Sequence, residues 1–135
     1  MSVTRDILYL THITETVDPI TSSGPDNPAA LENDPDIRDA TLYRLQTLSE
    51  SASLLSQAVK DRHPEVPWAA IAGFRNRLVH GYTEVKAERV WEVIAQYLGP
   101  LHDVARDELL QLRRELDRNT GFDIGFRGQR PTLFV

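Results

Sequence analysis

The chain has no cysteine among its 135 residues. That removes disulfides, thiolate zinc sites and cysteine nucleophiles. It has no apolar run of membrane-spanning length, and nothing like a signal peptide follows Met1-Ser2-Val3-Thr4-Arg5-Asp6; a cytoplasmic protein with no membrane association is expected. There is no HExxH pair, no glycine-rich phosphate loop and no serine triad pattern. His12, His63 and His102 form no ligand set with carboxylates at metal-binding spacing, so neither a metal nor a cofactor is expected. Positive charge is also scarce: 15 Lys and Arg face 20 Asp and Glu, a net charge of −5. That balance argues against a protein coated in nucleic acid. What remains is a chain with 41% hydrophobic and 26% charged residues, long enough for one domain with a real core.

The charge is unevenly spread. Lys60 to Arg89 holds six basic residues (Lys60, Arg62, Arg75, Arg77, Lys86, Arg89) against four acidic ones, whereas the remainder holds nine against sixteen. A small basic site can therefore sit in an acidic protein, although a solvated charged helix surface has the same signature.

Periodicity predicts helices throughout and no strand. Ile7, Leu10, Ile13, Val17 and Ile20 recur at spacings of three and four, as on an amphipathic helix. His12 lies near that stripe and reads as structural. A polar loop runs from Thr21-Ser22-Ser23-Gly24-Pro25 to about Asp34. Asp34-Pro35-Asp36 then opens a second helix, expected over Pro35 to Arg62, with Ile37, Leu45, Leu48, Ala52, Leu55 and Val59 as its stripe. His63-Pro64-Glu65-Val66-Pro67 ends it. A third helix starts near Pro67, carries Trp68, Ile71, Phe74 and Leu78, and is capped by Gly81. A fourth begins near Thr83 and carries Val90, Ile94, Tyr97, Leu101, Val104, Leu112 and Leu116, with a kink at Gly99-Pro100. Trp68 and Trp91 fall at core positions. The bundle is expected over residues 1–118, with 119–135 as a flexible or partner-docking tail.

The chemistry concentrates in Arg75-Asn76-Arg77-Leu78-Val79-His80-Gly81-Tyr82. An arginine fork can neutralise a phosphate and its transition-state charge. A histidine can move protons near neutral pH, and the helix C-terminus predicted at His80 favours its cationic form. Together they suit metal-free RNA cleavage. Each residue also has a plainer role: Arg75 in a surface ion pair with Glu65 or Glu84, and His80 as a C-terminal cap. Asn76 either orients the imidazole or the RNA, or caps the helix end. Arg77 reads as a phosphate-positioning or solvent residue. Tyr82 either packs on the bundle with a wet hydroxyl or presents a phenol beside the site. Five residues turn a regular helix by about 140° net, so Arg75 and His80 cannot converge on one phosphate from one helix. Either the helix end unwinds or two chains contribute.

Arg5-Asp6-x-Leu8-Tyr9-Leu10-x-His12-Ile13, Pro64-Glu65-Val66-Pro67-Trp68, Gly73 to Tyr82 and Val90-Trp91 resemble the HepT family of HEPN-domain proteins, over roughly residues 4 to 116. The resemblance implies an all-α HEPN-type antiparallel bundle of four to five helices with a kinked last helix. It implies a homodimer whose composite cleft is a metal-independent endoribonuclease acting on RNA, the toxin of a toxin–antitoxin pair. Arg75 and His80 take the catalytic positions, with Asn76 supporting. Tyr82 takes the position of the tyrosine that a minimal nucleotidyltransferase antitoxin, MntA, adenylylates with ATP; a larger hetero-oligomer with that antitoxin is open. The attached AMP puts bulk and negative charge where RNA phosphate should sit. Two other readings stand beside it: a non-catalytic HEPN subunit that binds a nucleotidyltransferase, and a structural helical adaptor. The proline-rich 24–34 loop and the long tail depart from the family core.

Overall fold

Ile7, Leu10, Ile13, Val17 and Ile20 are all buried along one side of α1 (Val3–Ser23), as their spacing predicts. The computed structural model describes residues 3–120, so the tail segment from residue 121 onward lies outside the described residues. Six further helices follow: α2 (Pro28–Asn33), α3 (Pro35–Leu54), α4 (Gln57–Arg62), α5 (Trp68–His80), α6 (Ala87–Gln96) and α7 (Leu98–Thr120). A 3-10 turn, Tyr82–Glu84, joins α5 to α6. No strand occurs among the described residues. The protein is all-α.

Packing runs in the order α7, α1, α3, α5, each helix against the next, with α2 bridging α3 and α6, and α6 lying on α7. One core collects the stripes of all of them, from Leu10 and Leu45 to Phe74, Leu101 and Leu112. Trp68 and Trp91 are partly buried against it rather than central, and Trp68 Nε1 donates to the His63 carbonyl at 2.9 Å. His12 is half-buried on α1, its Nε2 3.4 Å from the Thr16 hydroxyl. Leu116, expected in the last stripe, is exposed.

Three expected boundaries move, each for a local reason. The expected 24–34 loop holds a helical turn and a half. Asn27 Oδ1 accepts from Ala30 N at 3.0 Å, Pro28 takes the first position where no N–H is needed, and Leu31 is buried. The expected helix over 35–62 is two helices, because Leu55 and Ser56 are extended. A buried carboxylate holds that break: Asp6 of α1 accepts from Ser56 N at 2.9 Å and from Ser56 Oγ at 2.7 Å, while Ser56 Oγ caps α4 at Val59 N. Apolar spacing carries straight through the break, so periodicity could not reveal it. The expected fourth helix starts at Ala87, and its kink is a boundary at Tyr97. Pro100 sits in the first turn of α7, where its missing N–H costs nothing; in a continuous helix its ring would clash with the Gln96 carbonyl.

A second polar anchor ties the α4–α5 connector to α7. Glu108, 5% exposed, accepts from Arg62 Nε at 2.9 Å and Arg62 Nη2 at 2.8 Å, and pairs with His63 Nε2 at 2.6 Å. The Arg62 hydrogen bond holds the Glu108 carboxyl below its ordinary range; burial opposes this and His63 reinforces it. A depressed folded pKa stabilises the fold above the unfolded glutamate value of about 4.3. The contribution disappears as pH falls through the folded value. Urea denaturation from pH 7 to 3 is expected to show that loss, and Glu108→Gln to be less stable at pH 7 by about 1–3 kcal/mol with a flatter acid limb. An unchanged acid limb in Glu108→Gln would assign the acid sensitivity elsewhere.

Candidate active site

Ile71, Phe74 and Leu78 anchor α5 in the core against α3. At 100° per residue they cluster on one side. Ala69, Gly73, Asn76, Arg77 and His80 then fall within about 100° on the opposite side, and all five are exposed. Arg75 lies at the margin between the two sides, half-buried.

Arg75 turns towards α3. Its Nη2 donates to Glu50 Oε2 at 3.2 Å and its Nη1 to Asn76 Oδ1 at 3.1 Å; its Nε is buried without a partner among the described residues. The ion-pair partner is thus Glu50, neither Glu65 nor Glu84. Sequence separation hid it, because the pairing crosses between two packed helices. Asn76 positions the guanidinium through its carbonyl oxygen. His80 ends α5 on the outward side, and Gly81 caps the helix by donating to the Arg77 carbonyl at 2.7 Å. The cap has φ −147°, outside the left-handed region, so glycine is not required there for backbone strain.

The helix stays regular through His80. The first way of bringing Arg75 and His80 together, by unwinding, therefore does not occur, and one chain keeps them on different sides of α5.

The connector after α5 separates two cavities. One, of about 410 Å³, is lined by Leu31, Asp39, Leu42, Tyr82 and Val90 among others. The other, of about 570 Å³, is lined by Arg77, His80, Glu84, Lys86 and Arg89. Val85 lines both. Tyr82 and His80 thus face different spaces although two residues apart. Tyr82 is partly buried against the core, and its hydroxyl donates to the Asp39 carbonyl at a long 3.4 Å. Burial raises the phenol pKa above its ordinary value, and the Asp39 charge adds to that against a smaller opposing effect of Arg38. The phenol therefore stays protonated near neutral pH. Among the described residues no three His, Asp or Glu side chains converge as a metal-ligand group, and no helix is long and apolar enough to cross a membrane.

Asn76, Arg77 and His80 on the outward side of α5, Arg75 at its margin and the half-buried Tyr82 just beyond make up the candidate site. Residues 10–108 match the family described as "Ribonuclease HepT-like". The chain belongs to the HepT family of HEPN proteins. A "Putative RNase" of Caldanaerobacter subterraneus subsp. tengcongensis is 32% identical over 78 residues, covering 58% of this chain and 69% of that protein. The "Probable ribonuclease HepT" of Thermococcus cleftensis is 27% identical over 62 residues, 46% of this chain and 56% of that protein. A "Putative RNase" of Methanocaldococcus jannaschii is 23% identical over 86 residues, 64% of this chain and 65% of that protein. No solved structure matches.

Sequence spacing does not mark Glu50 or Asp39 as partners and does not join Lys86 and Arg89 to His80. Only the last pair had a signal, the basic window from residue 60 to 89. The geometry of Tyr82 has a direct check. Difference absorbance titration of the protein against Tyr82→Phe is expected to give a midpoint above the ordinary tyrosine value of about 10. A midpoint at or below that value would mean the hydroxyl is not held as described.

Proposed function

We propose that this protein is the toxin of a HepT/MntA-type toxin–antitoxin pair, a metal-independent endoribonuclease. The observation that carries the reading is the division of labour on α5. Arg75, steadied by Asn76, and His80 point to different sides of one regular helix, as the two halves of a site shared between two copies would. Gly73 supports close approach of a second copy. It sits inside α5, where glycine costs about 1 kcal/mol relative to alanine, and a Cβ there would meet nothing within 4 Å among the described residues. Among the described residues nothing needs that glycine.

In such a cleft the RNA 2′-hydroxyl is the internal nucleophile. One His80 takes its proton as the O2′–P bond forms. Arg75 neutralises the extra charge on the phosphorane, and the second copy's His80 protonates O5′ as the P–O5′ bond breaks. Asn76 keeps the Arg75 fork aimed, and Arg77 holds the RNA backbone nearby. Antitoxin control would act at Tyr82. Its oxygen attacks the α-phosphorus of ATP, pyrophosphate leaves, and the phenolic proton passes to a base of a cognate minimal nucleotidyltransferase. The raised pKa fits a tyrosine that needs that outside base. This chemistry is that of a cytoplasmic protein acting on cellular RNA. The non-catalytic HEPN subunit remains the second reading, favoured by the salt bridge that occupies Arg75 and by the net charge of −5.

Arg75→Ala and His80→Ala are each expected to lower RNA cleavage about 10²–10³-fold, as loss of one transition-state donor does, and to abolish growth inhibition with fold and dimer retained. Co-expression with the cognate transferase should add whole AMP units, by intact mass, to wild type and not to Tyr82→Phe. Stable partner binding with no cleavage, no toxicity and no added mass would favour the non-catalytic subunit. Gly73→Leu is expected to keep its helical content, weaken dimerisation at least tenfold by analytical ultracentrifugation, and lose cleavage in parallel. An intact dimer in that variant would place the shared cleft away from this side of α5.

A further inference from the structure

The 570 Å³ cavity at His80 is basic in a protein that is not. Its lining includes Arg77, Lys86 and Arg89 against one carboxylate, Glu84, in a chain of net charge −5. The neighbouring cavity has the opposite balance, Arg38 against Glu32 and Asp39. The wall shared at Val85 thus divides two spaces of opposite sign. Three separate pieces of chain supply the cations: the last turn of α5, the connector, and the first turn of α6. Among the described residues the side chains of Arg77 and Lys86 enter no ion pair, and both are exposed. Arg89 is half-buried and steadied by its ion pair with Glu92. Lys86 also flanks the N-terminus of α6, where it gives no side-chain cap. Two unpaired cations, Arg77 and Lys86, beside the ion-paired Arg89 around a cavity that His80 also lines suit a polyanion that must be held but not recognised by base.

We infer that Lys86 and Arg89, with Arg77, form a binding subsite for the phosphodiester backbone of single-stranded RNA flanking the bond cleaved at His80. This rests on the ribonuclease reading. It adds two positioning residues that lie outside the Arg75–Tyr82 segment. They hold the strand so that one phosphate reaches His80 while its neighbour is neutralised in the cavity. Glu84 at the rim limits how much backbone the cavity accepts, because a strand displaced towards it meets repulsion.

The test uses the full chain and a fluorescent, fully 2′-O-methylated RNA, which lacks the attacking hydroxyl and reports binding alone. Lys86→Ala/Arg89→Ala is expected to bind about tenfold more weakly. The slope of log affinity against log salt should become shallower by about 1.4, the value for two lost phosphate contacts on a single strand. On cleavable RNA, KM should rise by more than kcat falls. Lys86→Arg/Arg89→Lys should restore both affinity and slope, which separates charge from fold. Arg118→Ala, an exposed cation on α7 away from the cavity, should behave as wild type. If wild type binds and cleaves RNA while the double variant loses no more than Arg118→Ala does, the subsite is wrong and the ribonuclease reading survives. If wild type neither binds nor cleaves RNA, with dimer and fold intact, both fall together.

Discussion

The seating of α5 on α3 sets where the candidate site residues stand. Three side chains, Ile71, Phe74 and Leu78, commit one side of the helix to the core. Because a helix has a fixed pitch, that single commitment settles where every polar residue of the segment can go. Asn76, Arg77 and His80 are turned outward. Arg75 is left at the seam, where Glu50 of α3 takes its guanidinium. The helix packs at the end of the α7–α1–α3–α5 series, and its outer side stays exposed among the described residues. A change in the apolar trio would rotate the polar set and move every candidate group together.

Two buried carboxylates do the complementary work of breaking the bundle in the right places. Asp6 stops a helix that apolar spacing alone would continue past Leu55, and Glu108 ties the following connector to α7. Between them they fix the entry to α5. Both act through charged hydrogen bonds in poorly solvated surroundings, where such contacts are strong and where loss of one partner leaves the other stranded.

The helix types and most core stripes could be read from the residues, because burial of one helix side leaves a spacing of three and four wherever it occurs. Leu10, Leu45, Phe74 and Leu101 were placed correctly on that basis. Periodicity is silent where the decisive contact is polar and distant in sequence. The break at Ser56 depends on Asp6, fifty residues away, and the Arg75 partner is twenty-five residues away on another helix. The 24–34 segment hides its helix for a different reason: its prolines and asparagine suit a loop and a helix start alike, and the burial of Leu31 decides between them. The motif from Arg75 to Tyr82 stood out because its chemistry is local. Its spatial division into two cavities did not, since a turn of three residues reverses which space a side chain enters.

The angular separation of Arg75 and His80 carries a consequence for how the proposed activity would depend on dose. A site split between copies exists only in the associated form, so its abundance rises with the square of protein concentration until pairing saturates. Small amounts of unpaired chain would then be nearly silent. A modest rise in expression would produce a disproportionate rise in cleavage, with a threshold placed by the dimer dissociation constant and required only because the pitch of one helix keeps the two groups apart.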